Sequence, residues 1–190
     1  MKIKKFTEPF SYYIIDDIIS LEENEIIYKE LQLDEAPKSE PSTHSMGIEI
    51  GAYDSIWDRV HKICTEILSE DIKLPKGSWM GGLQKHFNVN LDPHTDYLPN
   101  DNTASVYKGL VYIGDSKINY KDYGTKIYKR IDISDEGMID LDSEVEFKPG
   151  RAILFIPSEN SLHGACFDSG FPYDRYTYGF EYYPSTFRPI

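Results

Sequence analysis

His94 and Asp96, in Leu91-Asp92-Pro93-His94-Thr95-Asp96, place an imidazole and a carboxylate two positions apart behind a proline. On a strand, positions i and i+2 point to the same face. Both side chains could then reach one metal ion from one side. A single His-x-Asp is a weak signal in a chain with 5 His and 32 Asp and Glu. A third ligand would give it weight. His163 is the only histidine downstream, in Leu162-His163-Gly164-Ala165, and it follows the turn and apolar run Pro149-Gly150-Arg151-Ala152-Ile153-Leu154-Phe155-Ile156. Both segments read as strands, and paired strands can bring such distant residues side by side.

Two imidazoles and one carboxylate leave three positions open on an octahedral ion, an arrangement that suits non-haem Fe(II) chemistry with oxygen. The set has no thiolate, so a closed structural zinc site does not fit. Further on, Arg175-Tyr176-Thr177-Tyr178-Gly179-Phe180-Glu181-Tyr182 alternates cleanly. Tyr176, Tyr178, Phe180 and Tyr182 form one face, expected to pack on helices. Arg175, Thr177 and Gly179 form the other, turned inward. A buried guanidinium needs an anionic partner, and its fork matches a carboxylate. A small dicarboxylate ligand is one candidate. An ordinary ion pair with Asp174, Asp168 or Glu181, or plain exposure, is the alternative. Gln84, His86 and Asn88 share a face of the strand before the metal motif, which is expected to point inward. His86 is there either to touch the bound ligand or as a satisfied core histidine.

The elements that must hold these residues fall into two halves. Residues 10–19 read as a short strand or arm. Ser20-Leu21-Glu22-Glu23 is a capping-box pattern, and the helix behind it, with Leu21, Ile26, Ile27 and Tyr28 inward, should fade by Leu33. A second capping box, Ser55-Ile56-Trp57-Asp58, opens a helix over 55–70 with Ile56, Val60, Ile63 and Ile67 at helical spacing. His61 lies beside that stripe and reads as structural. From Trp79 the segments shorten, and Val, Ile, Tyr and Phe alternate with turn residues. Strands are expected at 81–90, 105–113, 125–132, 137–147, 151–157, 161–167 and 174–183. No strand–helix alternation appears, so the expected fold is mainly β (α+β): an antiparallel β-sandwich or jelly roll with N-terminal helices packed on one sheet. A single domain over 1–190 is expected, with a helical lead-in over 1–78 and the core over 79–183. The polar segment 34–52, which contains His44, is long enough for a lid or substrate loop, or is a solvated surface loop.

Composition narrows the function. Net charge is −12, and basic residues do not cluster, which argues against nucleic acid. The N-terminal basic residues are followed by no apolar stretch, so neither a signal peptide nor a membrane span is expected. Cys64 and Cys166 fit no zinc spacing, and free thiols in a reducing, cytoplasmic setting are the simplest account.

His-x-Asp, then about seventy residues, His163, and twelve residues later Arg-x-Thr: this order resembles the 2-oxoglutarate- and Fe(II)-dependent dioxygenase family, in its prolyl-hydroxylase-like branch. The likeness covers residues 79–183 and implies the family's double-stranded β-helix (jelly-roll) core. It includes Pro93 before His94, the strand Gly109-Leu110-Val111-Tyr112-Ile113, the pair Gly124-Thr125, and Pro149-Gly150-Arg151 before His163. Phe10 to Leu33 resembles the branch's lead-in helix. The resemblance implies that His94, Asp96 and His163 bind Fe(II) and carry catalysis. It implies that Arg175 holds the distal carboxylate of 2-oxoglutarate, with Thr177 at the family's Ser/Thr position. O2 would be the oxidant, and hydroxylation of a small molecule, amino acid or peptidyl residue the outcome. Asp96 favours hydroxylation, since related halogenases lack that carboxylate. The family often has a Tyr in the strand before the metal motif; here Lys85-His86 stands instead, which leaves His86, Asn88 or Gln84 to assist the cosubstrate. Two other readings are a cupin-like metal enzyme without 2-oxoglutarate, which would not need Arg175, and a jelly-roll binding module.

Overall fold

A computed structural model describes residues 1–33, 45–48, 53–71, 74, 76–86, 90–97, 106–131, 138–166 and 175–185. Strands dominate, as the density of Tyr, Ile and Val requires. In chain order they begin with β1 (Lys2–Phe6) and β2 (Tyr12–Asp16), then helix α1 (Leu21–Leu33), β3 (Ser45–Ile48) and helix α2 (Asp54–Asp71). The rest are β4 (Gly77–His86), β5 (Asn90–His94), β6 (Tyr107–Ile113), β7 (Thr125–Arg130), β8 (Ile139–Val145), β9 (Ala152–Phe155), β10 (His163–Cys166) and β11 (Arg175–Pro184). They form a seven-stranded sheet, β1-β2-β9-β6-β11-β4-β3, and a four-stranded sheet, β5-β10-β7-β8. Every pairing is antiparallel.

The helices cover one face of the large sheet. Trp57, Val60, Cys64, Ile67 and Leu68 of α2 and Ile27 and Leu31 of α1 share one buried cluster with Tyr176, Tyr178, Phe180 and Tyr182 of β11. Trp57 stacks on Tyr178 with ring centroids 3.8 Å apart. His61 shares a 3.1 Å hydrogen bond with the Tyr178 hydroxyl and stacks on Trp79, so it is structural. The expected outward aromatic face of β11 is therefore the face that meets the helices. A second cluster joins the two sheets: Tyr12, Tyr112, Ile153 and Phe155 of the large sheet meet Ile127, Val145 and Ala165 of the small one.

The Ser20 capping box forms as its spacing predicts. The Glu23 amide donates to Ser20 Oγ at 3.1 Å, and the Ser20 amide donates to Glu23 Oε2 at 2.8 Å. Arg59 of α2 also donates two bonds of 2.8 Å to the same carboxylate, so Glu23 ties the two helices together. The guanidinium, more than burial opposes it, holds the Glu23 carboxyl down at about 2.

Several expectations are corrected. Leu21 and Ile26 are exposed, whereas Ile27 is buried as expected and Asn24 and Leu31 join it. Asn24 is the reason: its amide donates to the Gly114 carbonyl at 2.7 Å and accepts from the Gly114 amide at 3.2 Å, which turns that face to the sheet. Helix α2 starts at Asp54, which puts Ser55 inside the first turn rather than at the cap. The lead-in is not only helical, since β1, β2 and β3 all join the large sheet. The predicted strand 81–90 is two strands, β4 and β5, one in each sheet. Part of the predicted loop 34–52 is β3, paired antiparallel with β4. The rest of that loop, His44, Asn88, Asp168 and Asp174 lie outside the described residues. No helix among the described residues is long and apolar enough to cross a membrane.

Candidate metal centre and anion pocket

Strand pairing brings the two histidines together. His163 of β10 is the direct ladder partner of His94 of β5, and their rings lie 4.6 Å apart between centroids. Each Nδ1 sits 2.8 Å from the carbonyl two residues before it, Asp92 for His94 and Ser161 for His163. A carbonyl only accepts, so each Nδ1 must carry the proton and donate. That fixes both tautomers and leaves both Nε2 lone pairs free for a metal. The carbonyl that orients His163 is itself held, because Ser161 closes a turn onto Ser158 through its hydroxyl and its amide.

Asp96 completes the cluster, although not as a strand residue. Strand β5 ends at His94, and Asp96 lies just beyond it. Asp96 Oδ2 is 3.3 Å from His163 Nε2, and Oδ1 is 4.0 Å from His94 Nε2. One donor atom from each of the three lies within 4.8 Å of the others, and no other such group occurs among the described residues. Burial pushes the Asp96 carboxyl up, but His163 and His94, when both nitrogens of each ring carry protons, together with Lys108 outweigh it and hold the group at about 2.

The cluster opens on a cavity of about 440 Å³ whose other wall is the inward face of β11, β4 and β6. Cross-strand register orders this wall in rows. Arg175 faces His86, Thr177 faces Gln84, Gly179 faces Gly82, and Glu181 faces Met80 on one side and Lys108 on the other. At one end Arg175 is almost wholly buried. Its Nε donates to the Tyr123 carbonyl at 3.0 Å, and its guanidinium lies 5.4 Å from the Tyr112 ring centroid and 6.0 Å from that of Phe147. Burial lowers its pKa, while Tyr112 and Tyr123 oppose that. Tyr112 is fixed by three bonds: its hydroxyl donates to the Val145 carbonyl and accepts from the Thr125 amide and hydroxyl. Gly124 precedes Thr125 because a Cβ there would run into the Val145 carbonyl oxygen. The predicted Gly-Thr pair therefore builds the support under Arg175.

His86 lines the same end. Its Nε2 bonds Thr177 Oγ1 at 2.9 Å, but its Nδ1 is buried with no hydrogen-bond partner among the described residues. Burial first, then Arg175, lowers its pKa to about 3, so the ring is neutral. A buried unpartnered nitrogen is costly, and His86 is among the residues that line the cavity with Arg175. In the middle, Gly179 and Gly82 leave the wall open, with nothing within 4 Å of where a Gly82 Cβ would stand. At the far end, Glu181 pairs with Lys108 and not with Arg175. Sequence reading missed Lys108, Tyr123 and Thr125 as parts of the site. The alternation of Lys108, Leu110 and Tyr112 could have flagged Lys108, since it shares a face with Tyr112.

No protein-family model matches the chain, and no curated protein is similar to it in sequence. Solved structures are similar in fold. HygX from Streptomyces hygroscopicus, with nickel and 2-oxoglutarate bound, superposes with a TM-score of 0.61 at 16% identity, over 92% of this chain and 83% of that one. A viral collagen prolyl hydroxylase from Paramecium Bursaria Chlorella virus-1 gives 0.61 at 15% identity, over 91% and 89%. A prolyl hydroxylase from Trichoplax adhaerens, bound to a hypoxia inducible factor peptide, gives 0.61 at 12% identity, over 92% and 84%. The chain therefore shares the fold of HygX and these prolyl hydroxylases, mainly antiparallel β with two helices among the described residues.

Proposed function

We propose that this chain is a non-haem Fe(II) dioxygenase that couples oxidative decarboxylation of 2-oxoglutarate to hydroxylation of a small-molecule or peptide substrate. The observation that carries this is the convergence of His94, Asp96 and His163 donor atoms on the wall of a cavity that ends at buried Arg175. The donor set suits iron: two imidazoles that turn their Nε2 atoms toward one carboxylate, leaving three positions for a chelating cosubstrate and oxygen. The pocket suits a dicarboxylate: Arg175 offers a fork, and the unpartnered Nδ1 of His86 can donate to an oxygen beside it. That donation needs Nε2 of His86 to accept from Thr177, which makes the Thr177 hydroxyl the donor in their 2.9 Å bond.

The bound iron would supply the oxidising power. The protein's own residues orient and exclude. The Asp92 and Ser161 carbonyls aim the imidazoles. Tyr112, Phe147 and the Tyr123 carbonyl hold Arg175 at a fixed place. Gly82 and Gly179 leave room beside the metal residues for a substrate. The two sheets are read as a double-stranded β-helix forming one domain over 1–190. A reducing, cytoplasmic setting suits both a ferrous ion and the buried thiol of Cys64, whose pKa burial raises to about 12. A small molecule or a peptide as substrate is supported by HygX with hygromycin B bound and by the peptide-bound prolyl hydroxylase, which share this fold.

Anaerobic titration with Fe(II) and then 2-oxoglutarate tests the proposal. A visible charge-transfer band should grow with cosubstrate, because it needs both on one metal. Bound iron with no band on adding 2-oxoglutarate would overturn it.

A further inference from the structure

Outside the triad and the anion pocket, the cavity wall carries a chain of charge that ends on Asp96. Lys108 Nζ lies 2.9 Å from Glu181 Oε1 and 3.5 Å from Asp96 Oδ1. The other oxygen of Glu181 accepts from the Tyr183 hydroxyl. Lys108 and Glu181 are direct partners across the β6–β11 ladder, and Tyr183 is two residues further along on the same face. All three line the cavity.

An ammonium group beside a divalent ion is unfavourable by simple repulsion. Glu181 removes that objection, since the pair is close to neutral and delivers N–H donors to Asp96. A facial triad with three open positions also requires that the carboxylate give the metal one oxygen. A bidentate carboxylate would fill a fourth position and leave too few for a chelating cosubstrate and oxygen. The two oxygens of Asp96 have different neighbours: Oδ1 lies 3.5 Å from Lys108 Nζ and 4.0 Å from His94 Nε2, and Oδ2 lies 3.3 Å from His163 Nε2 with no cation beside it among the described residues.

We infer that Lys108, fixed by Glu181 and Tyr183, is a positioning residue that holds Oδ1 of Asp96 and so presents Oδ2 alone to the metal. The inference rests on the metal reading above and deepens it. Lys108 does not touch the metal or the cosubstrate; it acts through the carboxylate. Partners of this kind around metal ligands alter affinity by about 10- to 100-fold when removed.

The test uses the full chain and Ni(II) as probe. Lys108→Met alone would strand the Glu181 charge in the cavity, so the primary variant is Lys108→Met/Glu181→Met, which removes both charges together. Isothermal titration should show Ni(II) affinity about 10- to 100-fold weaker, with the thermal midpoint of the metal-free protein little changed. Lys108→Arg keeps a cation and donors at the same place and should return affinity to within a few-fold of wild type. In the double variant the anaerobic Fe(II)–2-oxoglutarate band should also shift in position, which a merely structural role would not cause. Wild-type Ni(II) affinity and an unshifted band in the double variant would overturn this inference alone. Should the double variant fail to fold, Lys108→Gln/Glu181→Gln, which also removes both charges and keeps polar groups in place, carries the same comparison against Lys108→Arg. A wild-type protein that binds no Ni(II) would overturn the metal reading itself.

Discussion

Replacing Arg175 by Met separates cosubstrate binding from folding. Methionine keeps most of the length and the apolar contact with Tyr112 and Phe147, and removes the guanidinium. A charge-assisted hydrogen bond contributes about 1.5–3 kcal/mol, and a fork that meets a carboxylate in a buried site makes two. Allowing for incomplete additivity, a loss of about 3 kcal/mol is expected, which is about two orders of magnitude in the dissociation constant. The cost to the fold is smaller. The Tyr123 carbonyl loses its 3.0 Å donor, but a cation whose burial already lowers its pKa is no longer held out of water. The thermal midpoint without ligands should therefore move by only a few degrees. The assay is anaerobic titration of 2-oxoglutarate into the Fe(II)-loaded protein, read by the visible band, with metal affinity measured in parallel. Arg175→Lys should fall between the two, since it keeps the charge and loses the fork. Unchanged 2-oxoglutarate affinity in Arg175→Met, with iron bound normally, would show that the carboxylate binds elsewhere and refute the assignment of the pocket.

Two more predictions concern the metal and the helices. Asp96→Ala should abolish metal-dependent turnover and Ni(II) binding while the far-ultraviolet circular dichroism stays unchanged, because Lys108 retains Glu181 as partner; full activity would refute the triad. Glu23→Gln keeps an acceptor for the Ser20 amide but removes the charge that receives the Arg59 fork, and should cost about 0.5–1 kcal/mol in urea unfolding at pH 7. Its pH dependence has a definite sign. The folded Glu23 sits at about 2 against an ordinary 4.5. The stability it contributes is therefore present above pH 4.5 and lost as pH falls toward 2. The urea midpoint of wild type should drop faster than that of the variant over that window, and parallel profiles would count against the ion pair.

The sequence determined the composition of the site and the local structure. Alternation in β11 put Arg175 and Thr177 on one face and the aromatic residues on the other, because side chains on a strand have a period of two. Ser20 and Glu23 specified their capping box because both ends of that interaction lie within one turn. The spacing of His94, Asp96 and His163 suggested a metal set, and Gly124-Thr125 marked a place where only glycine clears the Val145 carbonyl. What the sequence left open depended on contacts between distant segments. The ladder pairing of His94 with His163 is long-range, and no local propensity sets it. The same is true of Asn24, which turned α1 away from the face that Leu21 and Ile26 implied, through bonds to Gly114 across the fold. Strand 81–90 read as one run because its residue types do not show a change of sheet between His86 and Asn90. Tertiary structure removed two of the alternatives for Arg175, exposure and a pair with Glu181, by burying it beside Tyr112 and giving Glu181 to Lys108. The chemistry of each side chain was legible in the chain itself, and which side chains share a cavity was decided by strand register.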